Sequence, residues 1–230
     1  MIKETINKLN SELPAAVKLV AVSKFHPFEA IEEAYAAGQR IFAESRPQEL
    51  MAKVRRLEEI RSEKGDPEYM SDVEWHFIGH LQTNKLKMVL PYVSLVQSID
   101  SERLLEAVNS WGMANGKVIN VLLEPHVAAE ESKQGFSAGE TMKLLSRTEE
   151  FPAVCFKGLM GMATFTEEES VIRSDFSRIK TIYDAALASC PELAPDFTEL
   201  SIGMSDDYPI AVEYGSTMVR IGSMIFGSRS

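Results

Sequence analysis

Lys24 is the first residue whose type and position could support chemistry, because it follows the apolar run KLVAVS at residues 18–23. Strand alternation places Val20, Val22 and Lys24 on one face, so the lysine points inward if the valines do. A desolvated amine with a lowered pKa can form a Schiff base with an aldehyde. The alternative is a lysine that extends from a strand end into water.

A second set of candidate residues lies in ELSIGMSDDYPIAVEYGSTMVRIGSMIFG, residues 199–227. We expect Ser205 to N-cap a helix at 206–214, either as an ordinary cap or as part of an anion site with free N–H groups. Gly222 and Ser223 add further amides, and glycine lets the backbone approach an anion closely. Together these residues predict a phosphate site.

Arg220 is an arginine within an apolar strand, where it alternates with Met218. If Met218 faces the interior, Arg220 faces it too and needs an acceptor there. A carboxylate such as Glu199 or Glu124 could serve, and so could a ring nitrogen of a bound cofactor.

Apolar, β-branched runs alternate with helical patterns along the whole chain, which predicts parallel strands joined by helices. We therefore expect an α/β fold: a single (β/α)₈ (TIM) barrel over residues 1–230, preceded by an amphipathic helix. An open doubly wound sheet is the alternative, although the glycine-rich first turn typical of that fold is missing. The predicted strands are 18–23, 40–43, 74–79, 93–98, 117–124, 156–160, 198–203 and 216–221. The predicted helices between them are 27–37, 46–64, 83–90, 101–115, 138–147, 167–189 and 206–214.

The barrel fold predicts where the functional residues meet, because its active sites lie at the C-terminal ends of the strands. The loops after strands 7 and 8 are the recurrent phosphate site of this fold, which brings Ser205 and Gly222 together. Lys24 follows strand 1 at the same end.

The composition limits the possible partners and the compartment. A net charge of -10 argues against nucleic acid and anionic membranes, because phosphate groups demand a basic face. Cys155 and Cys190 have no metal-ligand spacing, so we expect reduced thiols in a cytoplasmic protein. The N-terminus MIKETINKLNSEL lacks the apolar core of a signal peptide.

Two histidines, His76 and His80, would share a strand face at i, i+4, too far apart for one metal ion. We expect packing or hydrogen-bonding roles for both, and no metal site. Met160 and Met162 in GLMGM are expected to fill the core near the barrel mouth.

Four segments in order along nearly the whole chain resemble the pyridoxal phosphate homeostasis protein family: LVAVSK, HFIGHLQTNK, GLMGM and LSIGMSDDYPIAVEYGSTMVRIGSMIFG. The chain is similar, more distantly, to the barrel domain of bacterial alanine racemases. The resemblance implies a single barrel that carries pyridoxal 5′-phosphate on Lys24. The cofactor-binding residues that follow from the motifs are Lys24, Ser45, Met204, Ser205, Arg220, Gly222 and Ser223.

The resemblance also implies a role for each part of the site. Ser205 and the amides of Gly222 and Ser223 would hold the phosphate, and Arg220 would face the pyridine nitrogen. A guanidinium cannot accept a proton, so it would keep that nitrogen unprotonated and weaken the ring as an electron sink. The family's second strand ends in Gly-Glu-Asn, whereas this chain has Ala43-Glu44-Ser45, and serine has a shorter reach and fewer donors.

Two functions from different classes follow from this site. The first is a non-enzymatic protein of cytoplasmic pyridoxal phosphate (vitamin B6) homeostasis, a monomer that stores the cofactor or delivers it to apoenzymes. The second is an amino-acid racemase, which would need an acid/base opposite the lysine. Alanine racemases take it from a partner's extra domain, and this chain stops at Ser230 directly after strand 8, so the carrier is preferred. A sugar-phosphate aldolase without cofactor is a third, weaker alternative.

Overall fold

The computed structural model describes residues 1–127 and 135–227, and its centre is a closed barrel of eight parallel strands. Each strand pairs with the next along the chain, and the eighth pairs with the first. This topology confirms the predicted (β/α)₈ barrel and excludes the open doubly wound sheet. The strands are β1 Lys18–Val22, β2 Ile41–Glu44, β3 Glu74–Phe77, β4 Leu95–Ile99, β5 Ile119–Leu123, β6 Val154–Met160, β7 Glu199–Ser201 and β8 Met218–Ile221.

Helices surround this barrel, and the additional N-terminal helix is present. It packs against the second and last helices and buries Ile6 and Leu9. The helices are α1 Ile2–Glu12, α2 Phe28–Ala36, α3 Pro47–Lys64, α4 Leu86–Val89, α5 Glu102–Asn115, α6 Ala138–Leu145, α7 Glu169–Ser189, α8 Tyr208–Glu213 and α9 Ser223–Phe226. The assignment of residues 1–230 to one domain stays a prediction.

Three helices differ from the sequence expectation. The helix expected at 83–90 is a 3₁₀ helix at Thr83–Lys85 followed by the four-residue α4. The helix expected at 206–214 begins only at Tyr208, because the Met204 N–H donates to Asp207 Oδ1 (2.5 Å) and a turn at 205–207 precedes it. The short helix α9, directly after β8, was not predicted at all. Its four residues are too few to show a helical period.

The apolar core has two parts, as expected for strands buried on both faces. Leu19 and Ala21 of β1 join the large cluster between the strands and the helices. Val20 and Val22 belong instead to a second cluster inside the barrel, which also contains Met160 and Met218. The valines therefore face the interior, as the position of Lys24 required.

Close packing between β6 and β7 depends on one glycine. Gly158 has φ 150°, and a Cβ atom there would lie 1.7 Å from the carbonyl oxygen of Glu199. A side chain at this position would force the two paired strands apart.

The described residues include no helix with the length and apolar character needed to cross a membrane. Cys155 and Cys190 are free thiols, and burial raises the pKa of both. A raised pKa keeps a thiol protonated and unreactive at neutral pH.

Candidate functional site

All seven residues predicted for the site line one cavity of about 300 Å³ at the C-terminal ends of the strands. Val22, Ile78, Met160 and Met162 supply its apolar wall, which confirms the expected place of the two methionines near the barrel mouth. The cavity brings together Lys24, Ser45, Met204, Ser205, Arg220, Gly222 and Ser223.

Lys24 lies half-buried in the turn that follows β1. The His26 N–H donates to the Ser23 carbonyl (3.1 Å), and the Phe25 N–H donates to Glu49 Oε2 (2.8 Å). Phe25 has φ 67°, a left-handed conformation that costs a non-glycine residue roughly 1–3 kcal/mol. These hydrogen bonds maintain the strained turn, and the turn places Lys24 at the cavity.

A buried ion pair lies at the ends of β1 and β2, next to Lys24 in the chain. Lys53 Nζ donates to Glu44 Oε1 (2.5 Å) and to the Ser23 carbonyl (2.7 Å), and Ser23 Oγ donates to the same Glu44 oxygen (2.6 Å). The second oxygen, Glu44 Oε2, is buried and has no hydrogen-bond partner. Burial raises the pKa of Glu44, against the opposing effect of Lys53. This network joins the strand that precedes Lys24 to the strand that precedes Ser45.

The sequence interpretation did not assign a role to Glu44 or Lys53. A signal existed, because a glutamate at a barrel strand end is followed nine residues later by a lysine on the next helix. That spacing alone does not say that the two side chains meet.

The predicted phosphate site is formed by two loops that meet at their serines. Ser223 Oγ donates to Ser205 Oγ across 3.0 Å, which joins the loop after β7 to the start of α9. Ser205 was expected to be a helix N-cap, and that expectation is wrong: α8 starts at Tyr208 and no side chain caps it. Its hydroxyl faces the cavity together with Ser223 instead.

Gly222 allows the close approach of β8 to β1 beside this serine pair. A Cβ atom at Gly222 would lie 3.2 Å from the carbonyl oxygen of Val22 and 3.3 Å from its Cβ. The first N–H groups of α9 have no acceptor within the helix. The loop therefore presents backbone donors and two hydroxyls to one point of the cavity, which suits an anion.

Arg220 is buried in the barrel mouth, with 4 % of its surface exposed. Its Nη1 donates to the Ser201 carbonyl and to Ser201 Oγ (both 2.7 Å), and its Nη2 donates to the Gly161 carbonyl (2.9 Å). Burial lowers the pKa of Arg220 to about 10, although Glu124 and Asp207 act in the opposite direction. Three of the five guanidinium N–H groups are thus engaged by neutral oxygens, and the side chain still lines the cavity.

Glu199 was considered as an acceptor for Arg220, and the structure excludes it. Glu199 is at the N-terminal end of its strand, where it pairs with Lys18 and accepts from Thr217 Oγ1 (2.9 Å). Among the described residues, Arg220 has no carboxylate within ion-pair distance. Glu124 and Asp207 act on its charge from further away.

Ser45, after β2, and Met204, after β7, complete the predicted set. The Ser45 backbone packs so tightly on Gly79 that a Cβ atom there would lie 2.0 Å from the Ser45 carbonyl oxygen. Met204 follows β7 and is half-buried. Both uncharged side chains border the cavity.

The two histidines have hydrogen-bonding roles, as expected, but they do not share a strand face. His76 is buried in β3 with its Nδ1 2.9 Å from Gln97 Nε2, whereas His80 follows the strand with its Nδ1 2.7 Å from Asp100 Oδ2. The described residues contain no group of three or more potential ligands that could hold a metal ion.

Sequence reasoning missed three aromatic residues of the cavity, Phe25, His26 and Phe165. The His26 ring stacks on Phe226 of α9 (centroids 5.1 Å apart), which connects the turn after β1 to the last helix. Phe165, in the loop after β6, is 90 % exposed although it lines the cavity. No periodic pattern marks residues in loops, so neither contact could be found from the sequence.

Together, the closed parallel barrel and this cavity define the chain as a (β/α)₈-barrel protein whose mouth brings together an amine, a pair of serine hydroxyls and a buried guanidinium. The family comparison agrees: residues 1–230 match the model described as alanine racemase, N-terminal domain. A relative from Haemophilus influenzae, named pyridoxal phosphate homeostasis protein, is 35% identical over 227 residues, which are 99% of this chain and 91% of the relative. The chain therefore belongs to the pyridoxal phosphate homeostasis protein family.

Solved structures support the same assignment. The PipY protein of Synechococcus elongatus, described with PLP bound, has a TM-score of 0.85 and 33% identity, with 99% of this chain and 100% of that one covered. Its structure without PLP has a TM-score of 0.87 and 34% identity over the same shares. An alanine racemase from Corynebacterium glutamicum, 15% identical with a TM-score of 0.71 over 60% of its chain, shares the fold.

Proposed function

We propose that this chain binds pyridoxal 5′-phosphate as a Schiff base on Lys24 and acts in the intracellular homeostasis of that cofactor. The observation that carries the proposal is the single cavity in which an amine, a pair of serine hydroxyls and a buried guanidinium meet. The names of the relatives and the PLP-bound PipY structure support the choice of ligand.

The residues present fit the three polar parts of pyridoxal phosphate. The aldehyde needs an amine, which Lys24 supplies. The phosphate needs several donors at one point, which Ser205, Ser223 and the amides beside Gly222 supply. The ring needs an apolar wall and a partner for its nitrogen, which Met160 and Arg220 provide.

Each side chain has one task in this proposal. When bound, the cofactor supplies an aldehyde carbon and an electron-withdrawing pyridine ring. Lys24 would hold the cofactor covalently through its Nζ, with release of water. Arg220 would supply a fixed positive charge for the pyridine ring and has no proton-accepting site. Ser45 and Met204 would border the bound ring.

We propose a carrier without catalytic turnover, rather than a racemase. A two-base racemase needs a second acid/base on the face of the substrate opposite the lysine. The described cavity lining contains no tyrosine, and its acidic member Asp206 is on the loop next to the serine pair. Apoenzymes that accept the cofactor, a monomeric state and a cytoplasmic location are further parts of the proposal.

Absorption spectroscopy tests the proposal directly. Titration of the purified protein with pyridoxal phosphate should give a saturable visible band, and pyridoxal without phosphate should bind much more weakly. Lys24→Ala should abolish the band, whereas Lys87→Ala, at an exposed position of α4, should not. A protein that stays colourless would refute the binding, and alanine turnover well above that of free cofactor would instead favour the racemase.

A further inference from the structure

A second, larger cavity of about 500 Å³ lies at the C-terminal ends of β3 and β4. It shares no lining residue with the cavity that contains Lys24. Its walls are mainly polar and come from the segment HLQTN, which the proposed function does not use, and from the start of α5. The residues that matter for its chemistry are His80, Gln82, Thr83, Asn84, Asp100 and Arg103.

His80 is held in one orientation by a buried carboxylate. Its Nδ1 lies 2.7 Å from Asp100 Oδ2, and Ser101 Oγ donates to the other oxygen, Asp100 Oδ1 (3.1 Å). The Asp100 side chain is 6% exposed, whereas that of His80 is 53% exposed. Both carboxylate oxygens of Asp100 are therefore hydrogen-bonded. The His80 imidazole is held in one orientation and lines the cavity.

Arg103 supplies a positive charge that no described acidic residue neutralises. The ion pairs of the described residues leave it out, and its neighbour Glu102 pairs with Arg147 instead (3.0 Å). An exposed, unpaired arginine is notable in a chain with a net charge of -10. Its planar guanidinium is suited to bidentate binding of carboxylate or phosphate oxygens.

We propose that this cavity is a second ligand site, which takes a small organic anion through phosphate or carboxylate oxygens. Arg103 binds the anionic group, and His80, oriented by Asp100, binds it through the ring nitrogen Nε2. The exposed hydroxyl and amide groups of Thr83 and Asn84 contribute hydrogen bonds. Gly79, next to His80, packs on the backbone of Ser45, which lines the other cavity.

Histidine-selective NMR can test this site, because the chain has only four histidines. His80 reports on the polar cavity and His26 reports on the cofactor cavity. The protein, first loaded with pyridoxal phosphate and then freed of unbound cofactor by gel filtration, is titrated separately with inorganic phosphate, glycerol 3-phosphate and succinate at constant ionic strength. The variants Arg103→Ala and Arg55→Ala are compared, since Arg55 is an exposed arginine of α3 outside both cavities.

We expect saturable shifts of the His80 signals with at least one phosphate or with succinate, while His26 stays unchanged. Arg103→Ala should weaken that binding by about tenfold or more, as expected for a lost charge-assisted hydrogen bond, and Arg55→Ala should not. Phosphate-only or succinate-only binding would identify the anionic group. The proposal is overturned if no ligand gives saturable His80 shifts, if only His26 responds, or if Arg103→Ala binds as well as the unmodified protein.

Discussion

The position of Lys24 depends on three buried residues, Ser23, Glu44 and Lys53. Its neighbour Ser23 is held by Lys53 through its carbonyl and by Glu44 through its hydroxyl. One oxygen of Glu44 remains without a partner, an arrangement that is unfavourable in a buried position. Unfavourable free energy of this kind is typical of residues that position a functional group, which here is Lys24.

Glu44→Gln should strongly destabilise the fold, because it leaves the Lys53 ammonium buried without its counter-ion. We expect a loss of about 3–5 kcal/mol in the free energy of unfolding, measured by urea denaturation. The double variant Glu44→Gln/Lys53→Met should recover part of this loss. Glu58→Gln, at an exposed position of α3, the helix that contains Lys53, is the control, and an equal effect of Glu44→Gln and Glu58→Gln would contradict a structural role for the pair.

His76 should make stability depend on pH. Burial, together with the charge of Lys18, lowers the pKa of His76 from 6.5 to about 3. Below pH 6.5 the unfolded chain therefore takes up a proton that the folded protein refuses, and stability falls as the pH falls towards 3. Between pH 6.5 and 5 this loss amounts to about 2 kcal/mol.

Urea midpoints across this pH range would measure that dependence. His76→Gln should remove about 2 kcal/mol of the pH-dependent loss between pH 6.5 and 5, whereas Asn10→Ala, at an exposed and non-titrating position of α1, should leave the profile unchanged. Identical profiles for the unmodified protein and His76→Gln would show that this histidine is not buried in its neutral form.

At the scale of elements, most strands and helices of the barrel could be predicted from the sequence, because strands and helices have different apolar periods. The run KLVAVS and the alternation of Met218 with Arg220 both correctly predicted which face points inward. Strand ends were less certain: β3 stops at Phe77, so His80 lies in a loop and not on the strand.

The arrangement around the site was only partly predictable. The family resemblance, together with position at the C-terminal strand ends, predicted seven residues that the structure brings together in one cavity. The turn closed by Asp207, the four-residue helix α9 and the Glu44–Lys53 pair depend on contacts between distant segments. A local pattern holds no information about such contacts, so these features required the structure.

Two glycines give an element-scale prediction. Gly158→Ala should lower the free energy of unfolding by several kcal/mol, because its Cβ atom would collide with the Glu199 backbone between β6 and β7. Gly139→Ala in α6 has open space around it and should be neutral or stabilising by about 0.5–1 kcal/mol. Urea denaturation compares them, and equal effects would contradict the close pairing of these strands.

At the scale of the whole molecule, the chain has a net charge of -10, yet positively charged groups lie at the C-terminal mouth of its barrel. Lys24 and Arg220 line one cavity there and Arg103 lines the other. Local cationic clefts can attract small anions even on an acidic protein. A large nucleic-acid backbone would still be repelled by the remaining surface.

Cofactor binding should stabilise the whole barrel. At a free pyridoxal phosphate concentration about 100 times its Kd, the gain is about 2.7 kcal/mol, which corresponds to a rise in Tm of roughly 5–10 °C for a chain of this size. Differential scanning fluorimetry measures it. Lys24→Ala should show a much smaller rise at the same concentration, and an equal rise would mean that the cofactor binds elsewhere.

The most direct test of the central claim is to locate the covalently bound cofactor. The protein is incubated with pyridoxal phosphate, reduced with borohydride, digested and analysed by mass spectrometry. We predict a single phosphopyridoxyl group on the peptide that contains Lys24, and none at this peptide in Lys24→Ala. A label on another lysine, such as Lys53 or Lys85, or no label at all, would contradict the assignment of this cavity as the pyridoxal phosphate site.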